Sequence, residues 1–90
     1  MARHERTFLI VNTLGLHARA AAQLVQTANR YRSEIHVEKD GMEVNGKSIM
    51  GVLTLAAAKG SQITVSVEGD DADAAMLALA AVIEKGFGET

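Results

Sequence analysis

The spacing of hydrophobic residues predicts an alternation of strands and helices along the chain. Apolar residues three and four positions apart, which are typical of helices, occur in three segments; short or alternating apolar runs, which are typical of strands, occur in four. The predicted strands are residues 7–11, 34–39, 42–44 and 62–68. The predicted helices begin near Ala18, at Ser48 and at Asp70 or Asp71, and they end near Asn29, Lys59 and Lys85.

Residues 40–41, Asp-Gly, are a strong signal for a two-residue hairpin between the second and third strands. Such a turn pairs Lys39 with Met42 and Val37 with Val44. The apolar residues of both strands, Met42 among them, then share one face, so we expect that face to be buried.

The predicted element order is β-α-β-β-α-β-α, which favours an α+β fold. One apolar stripe on each of the three helices suggests that all of them cover the same face of a four-stranded antiparallel sheet. Polar residues alternate outward along the strands, as they do on a sheet whose second face is in contact with water. We therefore expect a two-layer, open-faced sandwich that forms one domain over residues 1–90.

Composition narrows the classes of function. Nine Lys and Arg residues against eleven Asp and Glu residues give a net charge of −2, which is not the basic footprint of a nucleic-acid-binding protein. The absence of cysteine excludes disulfides, thiolate zinc sites and a cysteine nucleophile. The longest apolar run, residues 74–83, is too short to span a bilayer. We expect a cytoplasmic protein without membrane insertion, cofactor or metal.

His17 is the first candidate for chemistry, because it lies between a glycine turn and the helix predicted to begin at Ala18. The first backbone N–H groups of a helix lack partners, and the helix dipole there favours anions. Arg19 adds a fixed positive charge. A histidine beside an anion site suits phosphoryl transfer. The alternative is that His17 only caps the helix, although histidine is a mediocre cap.

Residues 15–21, Gly-Leu-His-Ala-Arg-Ala-Ala, resemble the phosphorylation-site signature of the HPr family. HPr proteins are the histidine phosphocarriers of the bacterial phosphoenolpyruvate-dependent phosphotransferase system. Residues 47–56 resemble the serine-site signature of the same family. The separation of the two segments, the chain length and the element order also match, so the resemblance covers essentially the whole chain.

The resemblance implies a carrier rather than an enzyme with its own turnover. Enzyme I, itself phosphorylated by phosphoenolpyruvate, would phosphorylate Nδ1 of His17, and Arg19 would interact with the phosphoryl group. The group would then pass to a histidine of an Enzyme IIA-type protein. At position 20 this chain has alanine where the family commonly has proline. Because alanine is an excellent helix former, we expect the chemistry to be retained with a less rigid first turn.

The resemblance also implies a regulatory role for Ser48. In some lineages an ATP-dependent HPr kinase/phosphorylase modifies the matching serine, and this weakens phosphoryl traffic through the histidine. A phosphate at a helix N-terminus is compatible with the fold. The alternative is that Ser48 is only an N-cap. A second class of function is also open: a regulatory binding module of a nitrogen- or carbon-control phosphotransferase branch without sugar transport.

The partner surface is predicted around His17 and the first two helices. The resemblance implies that Ala18, Gln23, Met50 and Leu53 contact Enzyme I. Met50 falls off the apolar stripe of its helix, so we expect an exposed and adaptable contact. The alternative is that Met50 is ordinary surface or core filler. Nothing in the sequence requires more than a monomer.

Residues 41–48 also match the nucleotide-binding pattern GxxxxGK[ST]. This pattern is meaningful only when a strand leads into the loop and a helix follows within a parallel nucleotide-binding fold. Here the segment starts in the predicted hairpin turn and continues as an alternating strand. We therefore expect no nucleotide hydrolysis.

Overall fold

The computed structural model describes residues 2–89. Its elements are β1 Ala2–Leu9, α1 Ala18–Ala28, β2 Glu34–Lys39, β3 Met42–Asn45, α2 Ile49–Thr54, β4 Gln62–Gly69 and α3 Ala72–Glu84, with a 3₁₀ turn at Gly86–Gly88. The predicted order of strands and helices is therefore confirmed. Within residues 2–89, no helix combines the length and the apolar character needed to cross a membrane.

The four strands form one antiparallel sheet in the order β1-β4-β2-β3. Helix α3 lies on β1 and β4, α2 contacts β3, and α1 packs against both other helices. The opposite face of the sheet carries polar side chains, as in the hydrogen bond of 3.0 Å between Thr7 Oγ1 and Thr64 Oγ1. The expected two-layer, open-faced sandwich is confirmed.

The hydrophobic core lies between the sheet and the helices. Strand residues that alternate inward meet the apolar stripes of the three helices there, and each fully buried large side chain contributes about 2 kcal/mol. The largest of these buried side chains include Ile10, Leu24, Ile35, Val37, Val52, Ile63, Val65, Val67, Leu79, Ile83 and Phe87. This packing fixes where α1 begins relative to the sheet.

The β2–β3 hairpin has the predicted turn and register. Asp40 and Gly41 both have positive φ, 52° and 85°, and Val37 pairs with Val44. Met42 shares the inner face as predicted, but the expectation that it is buried is wrong, because 51% of its surface is exposed. The segment that resembles a nucleotide-binding loop lies in this turn and in β3, so it cannot cradle a phosphate.

The predicted boundaries differ from the structure most in β1 and α2. Strand β1 begins at Ala2 and ends at Leu9, instead of covering residues 7–11, because its polar first half pairs with β4 along its whole length. Helix α2 ends at Thr54 rather than near Lys59. Ala56 has a φ of +49°, which is incompatible with a continuing right-handed helix.

Helix α3 begins after Asp71, one of the two predicted caps, but the Asp71 side chain makes no capping hydrogen bond. Its carboxylate instead accepts hydrogen bonds from the backbone N–H groups of Arg32 and Ser33, at 2.8 and 3.0 Å, and from Ser33 Oγ at 2.5 Å. Asp71 therefore ties the start of α3 to the connection between α1 and β2.

Candidate functional site

His17 is the N-cap residue of α1, as predicted. Its backbone is extended, with φ −74° and ψ 179°, and its carbonyl oxygen accepts a hydrogen bond from Ala21 N at 2.8 Å. The imidazole makes no capping hydrogen bond to the helix. The first N–H groups of α1 therefore have no side-chain cap, and they point toward the region in front of the helix.

The loop before His17 is held by the segment that follows α2. Leu16 N donates a hydrogen bond of 2.8 Å to Ala57 O. Gly15 has a φ of +65°, and a Cβ at that position would lie 2.4 Å from Ala57 O. Only glycine permits this close approach of two backbone segments. The early end of α2 thus has a direct consequence for the position of His17.

Glu89 is the side chain that engages the imidazole. Its Oε2 lies 2.5 Å from His17 Nε2, and its Oε1 accepts a hydrogen bond of 2.9 Å from Asn12 Nδ2. Asn12 is buried, and its Nδ2 also donates to Gly15 O at 2.8 Å. The hydrogen bond from Asn12 lowers the pKa of the Glu89 carboxyl below its usual range, and the hydrogen bond with His17 and the positive charge of Arg19 lower it further. The Glu89 side chain is therefore a carboxylate at neutral pH.

The two ring nitrogens of His17 are in different situations. Nε2 is occupied by Glu89, and within the described part of the chain no group hydrogen-bonds to Nδ1. The side chain of His17 is 29% exposed, so the ring is reachable from outside. Nδ1 is consequently the ring nitrogen that has no hydrogen-bond partner among the described residues.

Arg19 lies in the first turn of α1 and is exposed. Among residues 2–89 its guanidinium forms no ion pair, although its charge acts on Glu89. Ala20, where the resemblance leads one to expect proline, is fully buried, and α1 begins at Ala18 without it. The site thus combines a ring nitrogen, an unengaged cation and uncapped helix amides, which together suit a phosphoryl group.

Ser48 is the N-cap of α2, as predicted. Its Oγ accepts a hydrogen bond from Gly51 N at 3.0 Å, and its backbone is extended. Ser48 lies at one end of α2, and the segment that holds the His17 loop follows the other end; six helical residues span about 9 Å. No hydrogen bond between described residues joins Ser48 to His17.

The predicted partner residues have different degrees of exposure. Ala18 is exposed, and Met50 is 75% exposed, which excludes its role as core filler. Leu53 is half-buried and packs against the core. Gln23 is half-buried and borders a cleft between α1 and α3 that Phe87 also lines. Sequence patterns did not single out Leu14, which is 68% exposed two residues after Asn12.

Two residues of the site, Glu89 and Asn12, were not predicted from the sequence. Glu89 is 72 positions from His17, so no local spacing connects them. The sequence does carry one signal for an ordered C-terminal segment, which is Phe87 between two glycines. A single aromatic residue in such a segment is typical of a buried anchor. Gly86, Phe87 and Gly88 all have positive φ, between 58° and 75°, and Phe87 is buried. This left-handed turn follows α3 directly and leads the chain to Glu89 at the start of α1.

The chain is similar to known proteins over nearly all of its length. The family model PTS-HPr, described as the phosphorylation site of the PTS HPr component, matches residues 4–85. The phosphocarrier protein HPr of Xylella fastidiosa (strain Temecula1) is 48% identical over 89 residues, which cover 99% of this chain and 98% of that protein.

Solved structures agree with this similarity. The structure of HPr-C-His from Thermoanaerobacter tengcongensis has a TM-score of 0.93 at 49% identity, and the match covers 97% of this chain and 98% of that one. The Bacillus subtilis catabolite repression protein Crh has a TM-score of 0.74 at 40% identity, with 96% and 97% of the two chains covered. That Crh structure is an intertwined dimer with a swapped domain, so the expectation of a monomer gains no support here.

Proposed function

The chain belongs to the HPr family of phosphocarrier proteins, and from this premise we propose that it is a histidine phosphocarrier whose acceptor atom is Nδ1 of His17. Proteins of this family work with the enzymes of the phosphotransferase system. One observation supports the assignment of the atom: Glu89 engages Nε2, whereas no described residue hydrogen-bonds to Nδ1 of this N-cap residue.

The phosphoryl group arrives from the phosphohistidine of Enzyme I, which is charged by phosphoenolpyruvate. The Nδ1 lone pair of His17 attacks phosphorus while the bond to the departing nitrogen breaks in line. The Arg19 guanidinium and the N–H groups at the start of α1 stabilise the negative charge on the phosphoryl oxygens. A histidine of an Enzyme IIA-type protein then takes the group, so the chain acts as a carrier and has no turnover of its own. This chemistry takes place in the cytoplasm, where phosphoenolpyruvate is made.

The test is labelling with radioactive phosphoenolpyruvate and Enzyme I, with wild type and His17→Ala side by side. We expect acid-labile, base-stable label on wild type and none on His17→Ala, with identical circular dichroism spectra. Label on a folded His17→Ala protein would move the acceptor to another residue. An unlabelled wild type, beside an Enzyme I that phosphorylates another HPr protein, would contradict the carrier function.

Ser48 is the proposed site of regulation by an HPr kinase/phosphorylase. Its hydroxyl caps α2 by accepting a hydrogen bond from Gly51 N. Phosphorylation would place a charge of about −1.5 to −2 close to the exposed Met50. This charge would oppose a partner that fits the uncharged surface. We expect Ser48→Asp to accept phosphate from Enzyme I more slowly than Ser61→Asp, a control in the loop before β4. Equal rates would leave Ser48 as a cap alone.

The proposed contact surface for Enzyme I consists of Ala18, Gln23, Met50 and Leu53, together with Arg19. Met50 is its exposed large apolar member, and Leu77 on α3, at 70% exposure, is a matched control outside this surface. We expect Met50→Ser to raise the KM for phosphorylation by Enzyme I severalfold and Leu77→Ser to leave it unchanged. The opposite pattern would place the partner on α3.

The similarity to Crh, a catabolite repression protein, favours one second candidate: a regulatory binding module whose two phosphorylation states bind different effectors. Genes for a sugar permease in the same genome would favour transport, and their absence would favour regulation. Because that relative is a dimer, sedimentation of the unphosphorylated and phosphorylated forms should accompany this comparison.

A further inference from the structure

We infer that Glu89 is a positioning residue that keeps the proton of the His17 ring on Nε2, and that Asn12 fixes the orientation of Glu89. This inference deepens the proposed function and rests on it for its catalytic meaning. The tautomer of the His17 ring can be tested independently of the proposed function, because it is a property of the unphosphorylated protein. The juxtaposition that carries it is the chain of hydrogen bonds from Gly15 O through Asn12 and Glu89 to His17.

The first step is the direction of the hydrogen bond between Glu89 and His17. An ionised carboxylate can only accept hydrogen bonds. Oε2 lies 2.5 Å from Nε2, so the hydrogen between them belongs to Nε2. In the neutral ring only one nitrogen carries hydrogen, and Nδ1 therefore keeps its lone pair. The contact selects the tautomer in which the open nitrogen is the nucleophilic one.

The second step is what holds the carboxylate in place. Asn12 is buried, and its Nδ2 reaches both Gly15 O at 2.8 Å and Glu89 Oε1 at 2.9 Å. The NH₂ group must face Gly15 O, since a flipped amide would put two oxygens together. Glu89 is also anchored from its own side, because the buried Phe87 two residues earlier lies in the left-handed turn. A positive φ is unfavourable for phenylalanine, so this turn is strained. The turn directs the chain so that Glu89 lies beside His17.

The hydrogen on Nε2 also determines the charge of the ring during phosphoryl transfer. When the phosphoryl group arrives, the Nδ1 lone pair forms the new N–P bond while the P–N bond of the donor phosphohistidine breaks and leaves its electron pair on the donor nitrogen. The ring of His17, which keeps its hydrogen on Nε2, becomes positively charged. The Glu89 carboxylate lies against that charge and stabilises it. When the group leaves, the electron pair of the N–P bond returns to Nδ1, and the leaving group is a neutral imidazole. No proton is gained or lost in either direction.

The contact with Asn12 predicts an unusual effect of Glu89→Gln. The Asn12 NH₂ group requires an acceptor, so the glutamine oxygen turns toward Asn12 and its NH₂ group turns toward His17. Nε2 must then accept a hydrogen bond, and the ring hydrogen moves to Nδ1, where it blocks the nucleophile. Glu89→Ala removes the acceptor without supplying a donor, so it leaves both tautomers available.

The test is the tautomer of His17, read from long-range ¹H–¹⁵N correlation spectra of the unphosphorylated protein at about pH 8.5, where an ordinary histidine is neutral. We expect Nε2–H in wild type, mainly Nδ1–H in Glu89→Gln, and a mixture in Glu89→Ala. Glu84→Gln makes the same chemical change at the end of α3, outside the site, and should match wild type. Nδ1–H in wild type, or an unchanged tautomer in folded Glu89→Gln, would overturn the inference.

Phosphorylation rates give the second readout. We expect Glu89→Gln to lower the rate with Enzyme I by about tenfold or more, and Glu89→Ala to lower it less. A purely structural role predicts the reverse order, because alanine is the larger truncation, and that result would also overturn the inference. If even wild type accepts no phosphate, the proposed function fails while the tautomer spectra still decide the role of Glu89.

Discussion

Helices α1 and α2 each follow an N-cap residue with an extended backbone, His17 in one case and Ser48 in the other. Ser48 turns its hydroxyl back onto its own helix and accepts a hydrogen bond from Gly51 N at 3.0 Å. His17 turns away from its helix and meets Glu89 instead. One helix start is thus closed by its own side chain, and the other is left open.

The difference is informative because an N-cap hydrogen bond contributes about 1 kcal/mol to stability. Helix α1, with 11 residues, forgoes this contribution, while α2, with six, has it. The longer helix can forgo the cap because six of its residues are buried against the core. An open start at a rigidly packed helix is what a transient anionic group requires, because its N–H donors are in place before the group arrives.

The largest effect is expected at Gly15, where the loop before α1 contacts the segment that follows α2. We expect Gly15→Ala to lower the free energy of unfolding by about 3 kcal/mol, because its Cβ would lie 2.4 Å from Ala57 O and its φ of +65° is unfavourable for alanine. Urea denaturation measures this loss. Phosphate acceptance should fall as well, because Leu16 and His17 must shift.

Gly60→Ala is the matched control for this substitution. Gly60 also has positive φ, +90°, but a Cβ there would meet nothing within 4 Å. The loss should therefore be only the backbone penalty of about 1 kcal/mol. Equal losses at the two glycines would show that the contact with Ala57 does not hold the start of α1.

Substitution of Arg19 should affect phosphoryl transfer at the start of α1 without destabilising the fold. Its side chain is exposed and forms no ion pair among residues 2–89, so Arg19→Ala should leave the melting temperature unchanged. We expect the rate of phosphoryl transfer to fall about tenfold in both directions, because the proposed charge-assisted contact between Arg19 and the phosphoryl group would be lost. Arg30→Ala, just beyond the other end of α1, is the control. Equal rates for the two variants would remove Arg19 from the site.

The two caps themselves give a direct contrast in stability. Ser48→Ala should lower the free energy of unfolding by about 1 kcal/mol, because Gly51 N loses its partner. His17→Ala should show no loss of this kind, because the imidazole does not cap α1. Denaturation of both variants at one pH decides the point. A loss in His17→Ala greater than that in Glu89→Ala, which removes the same contact with the imidazole, would mean that the helix start is less open than its geometry indicates.

The parts of this molecule that the sequence predicts are those with local signals. The hairpin follows from Asp40 and Gly41, because both residue types tolerate the positive φ that this turn requires, and the turn fixes the register. The position of His17 follows from the glycine turn before it and the periodic residues after it. Both signals lie within a few residues of the feature that they determine.

The parts that were missed depend on distant contacts. Glu89 reaches His17 only because Phe87 is buried in a left-handed turn, a conformation that its residue type does not announce. Ala56 ends α2 early for a similar reason, since alanine ordinarily continues a helix. The polar first half of β1 lacks apolar alternation, and pairing with β4 makes it a strand. In each case tertiary structure overrides the local preference.

Helix α3 is the third helix whose N-cap can be compared. Substitution of its N-cap residue is expected to have the smallest effect on stability. Its N-cap residue, Asp71, makes no capping hydrogen bond to its own helix; the carboxylate instead accepts hydrogen bonds from the Arg32–Ser33 connection. The hydrogen bond from Ser33 Oγ, followed by that from the Arg32 backbone, lowers the pKa of Asp71 below its usual value. The start of α3 is therefore coupled to pH through a purely structural contact.

The sign of this coupling follows from linkage. Because the pKa is lower in the folded protein, the unfolded chain binds more protons as the pH falls. The stabilisation by Asp71 is complete above the ordinary aspartate pKa of about 3.9 and is lost as the pH falls through the lower folded value. Asp71→Asn should therefore destabilise the protein at pH 7 and differ less from wild type under acid, measured by urea denaturation across that range. Asp70→Asn is the control, and a constant difference between Asp71→Asn and wild type at every pH would contradict the role of the Asp71 charge.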